Sequence, residues 1–330
     1  MKTCVRCGKP IAPEAAVCPF CGETQKTELL NALPSGTIVA GRYQIEAVAG
    51  IGGFGITYRA FDRTLSRVVA VKEYFPTGIA NRVPDTTQVI LYAGKRAEEF
   101  QLGYTRFLDE ARRMMQFQSA PNIVQVLGFL EANGTAYIVM EYLQGDSVGR
   151  RMKKRQYKPY SEKEAAEIIL PSMKALRSIH ESYVVHGDIS PGNLICTKEG
   201  TVVLIDFGAA KYMTDKQPVL QAAFLKKNYA APEQYRTAKE GIPRDEGAWT
   251  DIYAMGATLY YLLTGHVPTD ALTRLSSKKT ELIPPKKYGV KIQKGYFQLI
   301  CQMMELDKNL RIKNDQVVID TLEKLCFKEK

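Results

Sequence analysis

The chain has 330 residues, of which 45% are hydrophobic and 24% are charged, and this composition is typical of an ordinary soluble globular protein with about two domains. No apolar run approaches the roughly 18 residues needed to cross a membrane, so no membrane span is expected. The N-terminus lacks the apolar stretch of a signal peptide, and we therefore expect a cytoplasmic protein.

Part of the net charge of +10 lies in one basic run, Arg150-Arg151-Met152-Lys153-Lys154-Arg155. Such a run is typical of a patch for acidic substrates or nucleic acid, and also of a solvated helix or loop face. No aromatic residue lies within the run to stack on bases. The solvated face is therefore favoured, and nucleic acid is not an expected partner.

Residues 1–25 contain four of the seven cysteines in two Cys-x2-Cys pairs, which are Cys4, Cys7, Cys18 and Cys21. Two such pairs can present four thiolates to one Zn²⁺, and the stretch has too few apolar side chains to fold without a metal. Two disulfides are the alternative, which a cytosolic location disfavours. The segment resembles a zinc ribbon, a module that is usually structural or binds a protein partner, because four cysteines leave no open coordination position.

Residues 26–41 are polar and carry Pro34-Ser35-Gly36, which predicts a linker or an edge segment. Tyr43 to Val48 then alternates like a strand. The glycine-rich stretch Gly50-Ile51-Gly52-Gly53-Phe54-Gly55 follows, and Ile56 to Ala60 again favours a strand. A dinucleotide-binding fold needs a helix after the glycines, so the second strand favours a hairpin whose glycine backbone closes over phosphates.

Val68 to Lys72 has the pattern of a buried strand that ends in a lysine. Further along, Glu110 falls on the same helix face as three apolar residues, which are Phe107, Ala111 and Met114. A carboxylate on an apolar face is costly unless it is paired, and Lys72 is the obvious partner. The insertion between them, residues 73–101, has no predicted role.

The stretch from Ala136 to Leu143 reads as a strand that runs into a connector, closed by Gln144-Gly145-Asp146. An ordinary core strand is the alternative. The remainder of the chain is largely helical. The predicted helices are Glu164 to Glu181, one that opens at Asp251, Tyr296 to Glu305, and Asp315 to Lys324.

Two acidic loops each lie next to an apolar strand-like run. The first is His186-Gly187-Asp188-Ile189-Ser190-Pro191-Gly192-Asn193, and the second is Asp206-Phe207-Gly208. Asp188 can accept a proton from an attacking hydroxyl, and the oxygens of Asn193 and Asp206 suit Mg²⁺. Two ordinary β-turns are the alternative reading of these stretches.

Together these motifs resemble bacterial-type serine/threonine protein kinases over residues 42–327. The resemblance implies an α+β, two-lobed kinase fold after the zinc ribbon and linker, in a domain of residues 42–330. The small β-rich N-lobe is expected at about 42–140 and the helical C-lobe at about 144–330. It also implies ATP and Mg²⁺ as cofactors beside Zn²⁺, and a protein substrate with Ser or Thr.

The resemblance further assigns roles to single residues. Lys72, paired with Glu110, positions the phosphates; the backbone of Glu141 and Leu143 holds adenine; and a late arginine, Arg311, pairs with Glu233 of Ala231-Pro232-Glu233. The remaining expected nucleotide-site residues are Ala70, Asp146 and Ile195.

Three departures from the family pattern carry expectations of their own. Gly187 stands where many kinases have an arginine that grips an activation-segment phosphate, and residues 209–230 contain only Thr214 as a Ser or Thr. Activity without phosphorylation of this segment is therefore expected. Ser190 replaces the usual lysine, and Lys226 replaces the usual threonine, so Lys226 is predicted to supply the missing charge beside Asp188. A merely basic residue in a flexible loop is the alternative.

The leading prediction is transfer of the γ-phosphoryl group of ATP to Ser or Thr of a protein. A small-molecule kinase of the aminoglycoside or choline type is a second reading, since His-Gly-Asp also occurs there. A nucleotide-binding pseudokinase scaffold that recruits a partner through the zinc ribbon is a third.

Overall fold

The computed structural model describes residues 2–3, 9–12, 19–20, 31–91, 93–207, 211–212, 225–240, 245–276 and 281–327. The chain divides into two units. Unit 1 comprises Met1–Gln118 and Val124–Leu143, and unit 2 comprises Ser119–Ile123 and Gln144–Lys330. Within the described ranges, no helix combines the length and the apolar character that crossing a membrane requires.

Unit 1 is rich in β-structure. Its strands are β1 (Lys2–Thr3), β2 (Pro10–Ile11), β3 (Ile38–Val39), β4 (Tyr43–Gly52), β5 (Gly55–Asp62), β6 (Arg67–Tyr74), β7 (Ala80–Arg82), β8 (Val89–Leu91), β9 (Val126–Ala132) and β10 (Thr135–Glu141). Six of them form an antiparallel sheet in the order β3-β4-β5-β6-β10-β9. The alternating apolar residues of β5 and β6, such as Tyr58, Val69 and Val71, are fully buried on one face.

The predicted linker reaches this sheet. Val39 pairs with Tyr43 and Ile38 pairs with Gln44, so β3 is an edge strand of the sheet. The N–H of Leu33 also donates to the hydroxyl of Tyr58 at 3.0 Å. Of the stretch predicted as a linker or edge segment, residues 31–41 therefore pack as part of unit 1.

Helix α1 (Lys95–Met114) packs on this sheet through the face that carries Phe107, Ala111 and Met114. The ring of Tyr74, at the end of β6, lies 5.4 Å from the ring of Phe107. Its hydroxyl donates to the carbonyl of Phe100 at 3.2 Å. The aromatic contacts fix α1 directly against the strand that carries Lys72.

The insertion at 73–101 contains a small hairpin of β7 and β8 that is fastened by a buried ion pair. Nη2 of Arg82 lies 2.7 Å from Oε2 of Glu73, and both side chains are buried. The hydroxyls of Tyr58 and Tyr137 donate to the same carboxylate at 2.7 and 2.8 Å. Nε of Arg82 donates to the carbonyl of Asn31 at 2.9 Å, so one buried carboxylate holds both the hairpin and the end of the linker segment.

Unit 2 is mainly helical. Its strands are β11 (Gly145–Ser147), β12 (Val184–Val185), β13 (Leu194–Thr197), β14 (Val202–Leu204) and β15 (Lys211–Tyr212). Its helices are α2 (Val148–Lys154), α3 (Glu162–Glu181), α4 (Pro232–Glu240), α5 (Ala248–Thr264), α6 (Ala271–Ser276), α7 (Lys294–Met303) and α8 (Asp315–Phe327). The β-rich first unit and the helical second unit confirm the predicted α+β class.

Two helices set the core of unit 2. Helix α3 begins at a capping box in which Ser161 and Glu164 satisfy each other's backbone N–H groups. Helix α5 is buried from Thr250 to Thr264 and ends at Gly265, whose φ of 74° suits a glycine. Helix α5 begins three residues before the predicted start at Asp251. Since α3 and α7 pack against α5, the residues at its N-terminus have fixed positions.

The basic run lies in α2 and the turn after it, and some of its charges make local contacts. Nη2 of Arg151 donates to the carbonyls of Cys196 and Thr197. Lys154 pairs with Asp146 at 2.6 Å. These partners agree with the prediction of a helix or loop face.

Candidate active site

The loop of residues 186–193 joins β12 to β13 in unit 2 and is anchored on α5. The buried carboxylate of Asp251 accepts the backbone N–H of His186 at 2.7 Å and of Gly187 at 2.8 Å. Gly187 has a φ of 75°, in the left-handed region that glycine adopts without strain. These two hydrogen bonds therefore fix the backbone position of the next residue, Asp188.

Asp188 and Asn193 are brought together within this loop. Nδ2 of Asn193 donates to the carbonyl of Asp188 at 2.8 Å and to its Oδ2 at 2.9 Å. Because the amide nitrogen is used in this way, the side-chain oxygen of Asn193 is the atom left for a metal ion. The carboxylate of Asp188 is held in one orientation by the same contact.

Asp206 follows β14 closely and has a φ of 68°, a left-handed conformation that is rare for a residue with a side chain. The next residue, Phe207, is fully buried and its ring lies 4.8 Å from the ring of His186. Its burial stabilises the turn that presents Asp206. Gly208 lies outside the described residues.

The charges in this region act on one another. Burial raises the pKa of the Asp188 carboxyl above its ordinary value, Lys226 opposes that shift, and the negative charge of Asp206 adds to it. Nζ of Lys226 lies 2.7 Å from Oδ2 of Asp188 and 2.9 Å from Oγ of Ser190. The structure thus brings together Asp188, Asn193 and Lys226, with the charge of Asp206 close enough to act on Asp188.

Behind the loop lies a buried triad of charged groups. Nε2 of His180 is 2.9 Å from Asp251, and its Nδ1 is 2.8 Å from Asp315. Burial alone would lower the pKa of His180, but the two carboxylates raise it to about 9, so the ring is positively charged at neutral pH. Burial works to raise the pKa of Asp251, and the hydrogen bond and charge of His180 hold it below its ordinary value instead.

A second buried pair fixes the segment that follows Lys226. Nη1 and Nη2 of Arg311 donate to the two oxygens of Glu233 at 2.7 and 3.2 Å, in a bidentate arrangement. Nε2 of Gln234 donates to the carbonyl of Gly187 at 2.8 Å. The start of α4 is therefore tied both to the late arginine and to the 186–193 loop.

In unit 1, Lys72 and Glu110 form the ion pair that periodicity predicts. Nζ of Lys72 lies 2.9 Å from Oε1 of Glu110, and both side chains are largely buried. The ring of Phe107 lies beside the same ammonium, with its centroid 5.7 Å away. The neighbouring Asp109 points elsewhere and pairs with Arg112.

The glycine-rich stretch forms the tip of the β4–β5 hairpin, as its flanking strands predict. Gly52 pairs with Gly55, and Gly50 pairs with Thr57. A Cβ at Gly55 would overlap the backbone carbonyl of Glu73, so only glycine fits this close approach. The carbonyls of Gly53 and Phe54 accept the N–H groups of Thr77 and Phe75, which tie the tip to the end of β6.

The other residues predicted to bind the nucleotide fall in both units. In unit 1, Ala70 pairs with Met140 across the sheet, the N–H of Glu141 donates to the carbonyl of Gln125, and Leu143 is the last residue of the unit. In unit 2, Asp146 lies on β11 and Ile195 on the adjoining strand β13. Their joint action on a nucleotide stays a prediction.

The four cysteines of the predicted zinc ribbon, Cys4, Cys7, Cys18 and Cys21, all lie outside the described residues. Among the residues that are described, no group of three or more His, Cys, Asp or Glu side chains could hold a metal ion. Cys196, Cys301 and Cys326 are free thiols in the described part of the chain.

Sequence reasoning missed Glu73 with Arg82, and His180 with Asp315. A signal existed for His180, since it lies four residues after Leu176 on the apolar face of α3 and a buried histidine needs polar partners. For Glu73 the strand pattern shows only that a charge is buried; nothing in the pattern indicates which cation pairs with it.

Comparisons with known proteins find similar sequences and structures. The family model described as protein kinase domain matches residues 43–321. A probable serine/threonine-protein kinase of Clostridium perfringens is 32% identical over 88% of this chain and 39% of its own length. Serine/threonine-protein kinase B of Synechocystis is 29% identical over 94% of this chain and 51% of its own length. The chain thus spans about two fifths to one half of these relatives.

Among solved structures, PpkA-294 in its apo form is similar with a TM-score of 0.75 and 30% sequence identity. The match covers 89% of this chain and 100% of that one.

Proposed function

The chain belongs to the protein kinase domain family, and from this premise we propose that it transfers the γ-phosphoryl group of ATP to a Ser or Thr hydroxyl of a protein. The observation that carries the proposal is the Asp188 carboxylate, which Asn193 holds at 2.9 Å on a loop anchored to α5. Asp188 would orient the substrate hydroxyl and accept its proton as the new bond to phosphorus forms.

The donor set in unit 2 fits Mg²⁺. The side-chain oxygen of Asn193 and the carboxylate of Asp206 are hard oxygen ligands, and their charge and number suit an ion that keeps several waters and phosphate oxygens. Mg²⁺ bound there would offset the negative charge of the phosphates. The strained turn at Asp206 and its buried neighbour Phe207 serve to aim the carboxylate.

Unit 1 supplies the groups that would hold ATP. Lys72 would bind the phosphates, and Glu110, 2.9 Å away, holds the ammonium in place. The glycines at the tip of the β4–β5 hairpin allow backbone N–H groups to approach phosphate oxygens. Adenine would be held by the backbone of Glu141 and Leu143.

Two contacts support a protein substrate: the buried Arg311–Glu233 pair and the hydrogen bond from Gln234 to Gly187. Together they hold the segment before α4 as an ordered surface beside Asp188. A small hydroxyl compound needs no such surface. The relatives are named serine/threonine-protein kinases, which also favours a protein substrate.

The test is incubation with γ-labelled ATP, Mg²⁺ and a generic protein substrate. Asp188→Asn keeps the size of the side chain and removes the base, so Ser/Thr labelling should fall by about 10²–10⁴-fold. Asp109→Asn, at an exposed aspartate on α1, is the matched control and should label like wild type. Label on an aminoglycoside or choline alone would favour a small-molecule kinase. ATP binding without Asp188-dependent transfer would favour the scaffold.

We also propose that activity does not need phosphorylation of residues 209–230. The 186–193 loop carries Gly187 rather than a cation, and Asp251 already fixes its backbone. Thr214→Ala and phosphatase-treated protein should retain activity within about twofold of wild type. A loss of more than about tenfold in either would contradict this.

For the N-terminal segment we propose a structural Zn²⁺ held by Cys4, Cys7, Cys18 and Cys21, on a module that contacts a protein partner. The support is the spacing of two Cys-x2-Cys pairs, which suits four thiolate ligands. Metal analysis of the full chain should find about one zinc per chain, lost in Cys4→Ser/Cys7→Ser but kept in Cys301→Ser. Zinc-free wild-type protein would exclude the site.

A further inference from the structure

Lys226 brings a positive charge to Asp188 from outside the 186–193 loop. Its Nζ lies 2.7 Å from Oδ2 of Asp188 and 2.9 Å from Oγ of Ser190. Ser190 is buried, and its carbonyl accepts the N–H of Asn193 at 3.0 Å, so the loop itself holds the hydroxyl in place. The ammonium therefore has a defined position beside the proposed base.

The backbone of Lys226 is also held. Its carbonyl accepts the N–H of Tyr229 at 2.8 Å and of Ala230 at 2.9 Å, which closes a turn. The side chain of the adjacent Lys227 is 74% exposed, and its Nζ is 3.8 Å from Asp270. The turn thus directs one lysine to the loop and the next to the solvent, and the two residues form a natural test and control.

The contacts leave atoms for a substrate. Asn193 and Lys226 both donate to Oδ2 of Asp188, so among the contacts of the described residues Oδ1 is left to receive the proton of a hydroxyl. An ammonium has three N–H donors, and two of those of Lys226 point to Asp188 and Ser190. Among the described residues no contact uses the third, which can serve an anionic ligand, and the side chain is 37% exposed.

We propose that Lys226 is a catalytic residue, which stabilises the negative charge on the transferring phosphoryl group; the inference rests on the kinase function proposed above. The substrate hydroxyl oxygen forms a bond to the γ-phosphorus as the bond to the β–γ bridging oxygen breaks. ADP leaves with that electron pair, and the hydroxyl proton passes to Oδ1 of Asp188. Lys226 contributes through charge, which is worth most in a site with little water.

Lysine suits this task because its ammonium is a compact charge on a flexible stem. It can follow the phosphoryl oxygens while it keeps its bond to Asp188. Ser190 is a positioning residue, since its hydroxyl contacts only the lysine among these groups and carries no charge. A competing explanation is that the ion pair merely tethers the segment before α4 to the loop.

The test measures kcat and KM for Lys226→Ala. Lys227→Ala is the control, and Asp188→Asn gives the activity that remains without the proposed base. We expect kcat to fall by about 10²–10³-fold in Lys226→Ala while KM for ATP changes by less than about threefold. Lys227→Ala should stay within about twofold of wild type.

Moving the ammonium onto the 186–193 loop separates charge from tether. The exchange Ser190→Lys/Lys226→Ala returns an ammonium beside Asp188 but leaves no polar side chain at position 226 to bridge to the loop, and it should recover at least about tenfold in kcat over Lys226→Ala alone. A drop of less than about threefold in Lys226→Ala overturns the proposal. So does a large drop that the exchange fails to restore. If wild type shows no Asp188-dependent transfer, the kinase function itself fails, and this assignment fails with it.

Discussion

Replacing Arg82 with methionine would test how the β7–β8 hairpin is held in unit 1. The pair it breaks is buried: the side chains of Arg82 and Glu73 are 6% and 0% exposed, and their charged atoms are 2.7 Å apart. Removing one partner of such a pair costs about 3–5 kcal/mol, because the other charge stays buried. Glu73 keeps the hydroxyls of Tyr58 and Tyr137, so we expect the lower end, about 3 kcal/mol.

Arg112→Met is the matched control. Arg112 pairs with Asp109 at the same distance of 2.7 Å and in the same unit, but the two side chains are 56% and 42% exposed. Exposed pairs contribute about 0–1 kcal/mol. The comparison therefore varies burial and holds the residue type and the ion-pair distance constant.

Hydrogen exchange is the suitable assay, because the single tryptophan, Trp249, lies in unit 2 and does not report on unit 1. A loss of about 3 kcal/mol should speed exchange of the β6, β7 and β8 amides by more than about hundredfold in Arg82→Met. Adding Glu73→Gln to Arg82→Met should restore part of the lost stability, because no unpaired buried charge remains. Equal, small effects of Arg82→Met and Arg112→Met would refute the reasoning.

Two further predictions concern His180 and Gly103. Although burial opposes its charge, Asp251 and Asp315 raise the pKa of His180 from 6.5 to about 9, so about 3 kcal/mol of stability is present below pH 6.5 and is lost as the pH rises through 9. Urea unfolding followed by tryptophan fluorescence should show that the free energy of unfolding falls with rising pH in wild type but not in His180→Gln. A wild-type free energy of unfolding that does not change with pH would exclude this role of His180. Alanine normally stabilises a helix interior relative to glycine by up to about 1 kcal/mol, but in Gly103→Ala the methyl would overlap the hydroxyl of buried Tyr74. We expect a loss of about 1–3 kcal/mol in α1 by hydrogen exchange, partly relieved by Tyr74→Phe.

Local pattern was enough to predict those parts of the site that depend on neighbouring residues. Glu110 shares a helix face with Phe107 and Ala111, and that periodicity alone predicts a buried carboxylate in need of a cation. The structure places Lys72 there at 2.9 Å. The strands that flank the glycine-rich stretch were predictable for the same reason, because their alternation is visible within ten residues.

Contacts that depend on the tertiary path were not predictable. Arg82 reaches Glu73 only because the chain between them turns back as a hairpin, and the polar sequence of that hairpin has no strong periodicity. Asp315 meets His180 across 135 residues of chain, through the packing of α3 with α8. In such cases the sequence shows that a charge needs a partner, while the partner is chosen by the fold.

The choice between arginine and lysine follows the task of each of these cations. Arg82 and Arg311 each donate hydrogen bonds from a rigid guanidinium group to several fixed acceptors. This arrangement suits permanent structural contacts such as the pair with Glu233. Under the proposed function, Lys72 and Lys226 occur where a phosphate would have to bind and be released. A rotating ammonium can share its three donors between a resident carboxylate and an incoming oxygen. A guanidinium group that is already hydrogen-bonded to several acceptors would have to break some of those bonds first. Lys226→Arg should therefore be a poor replacement for lysine even though the charge is retained.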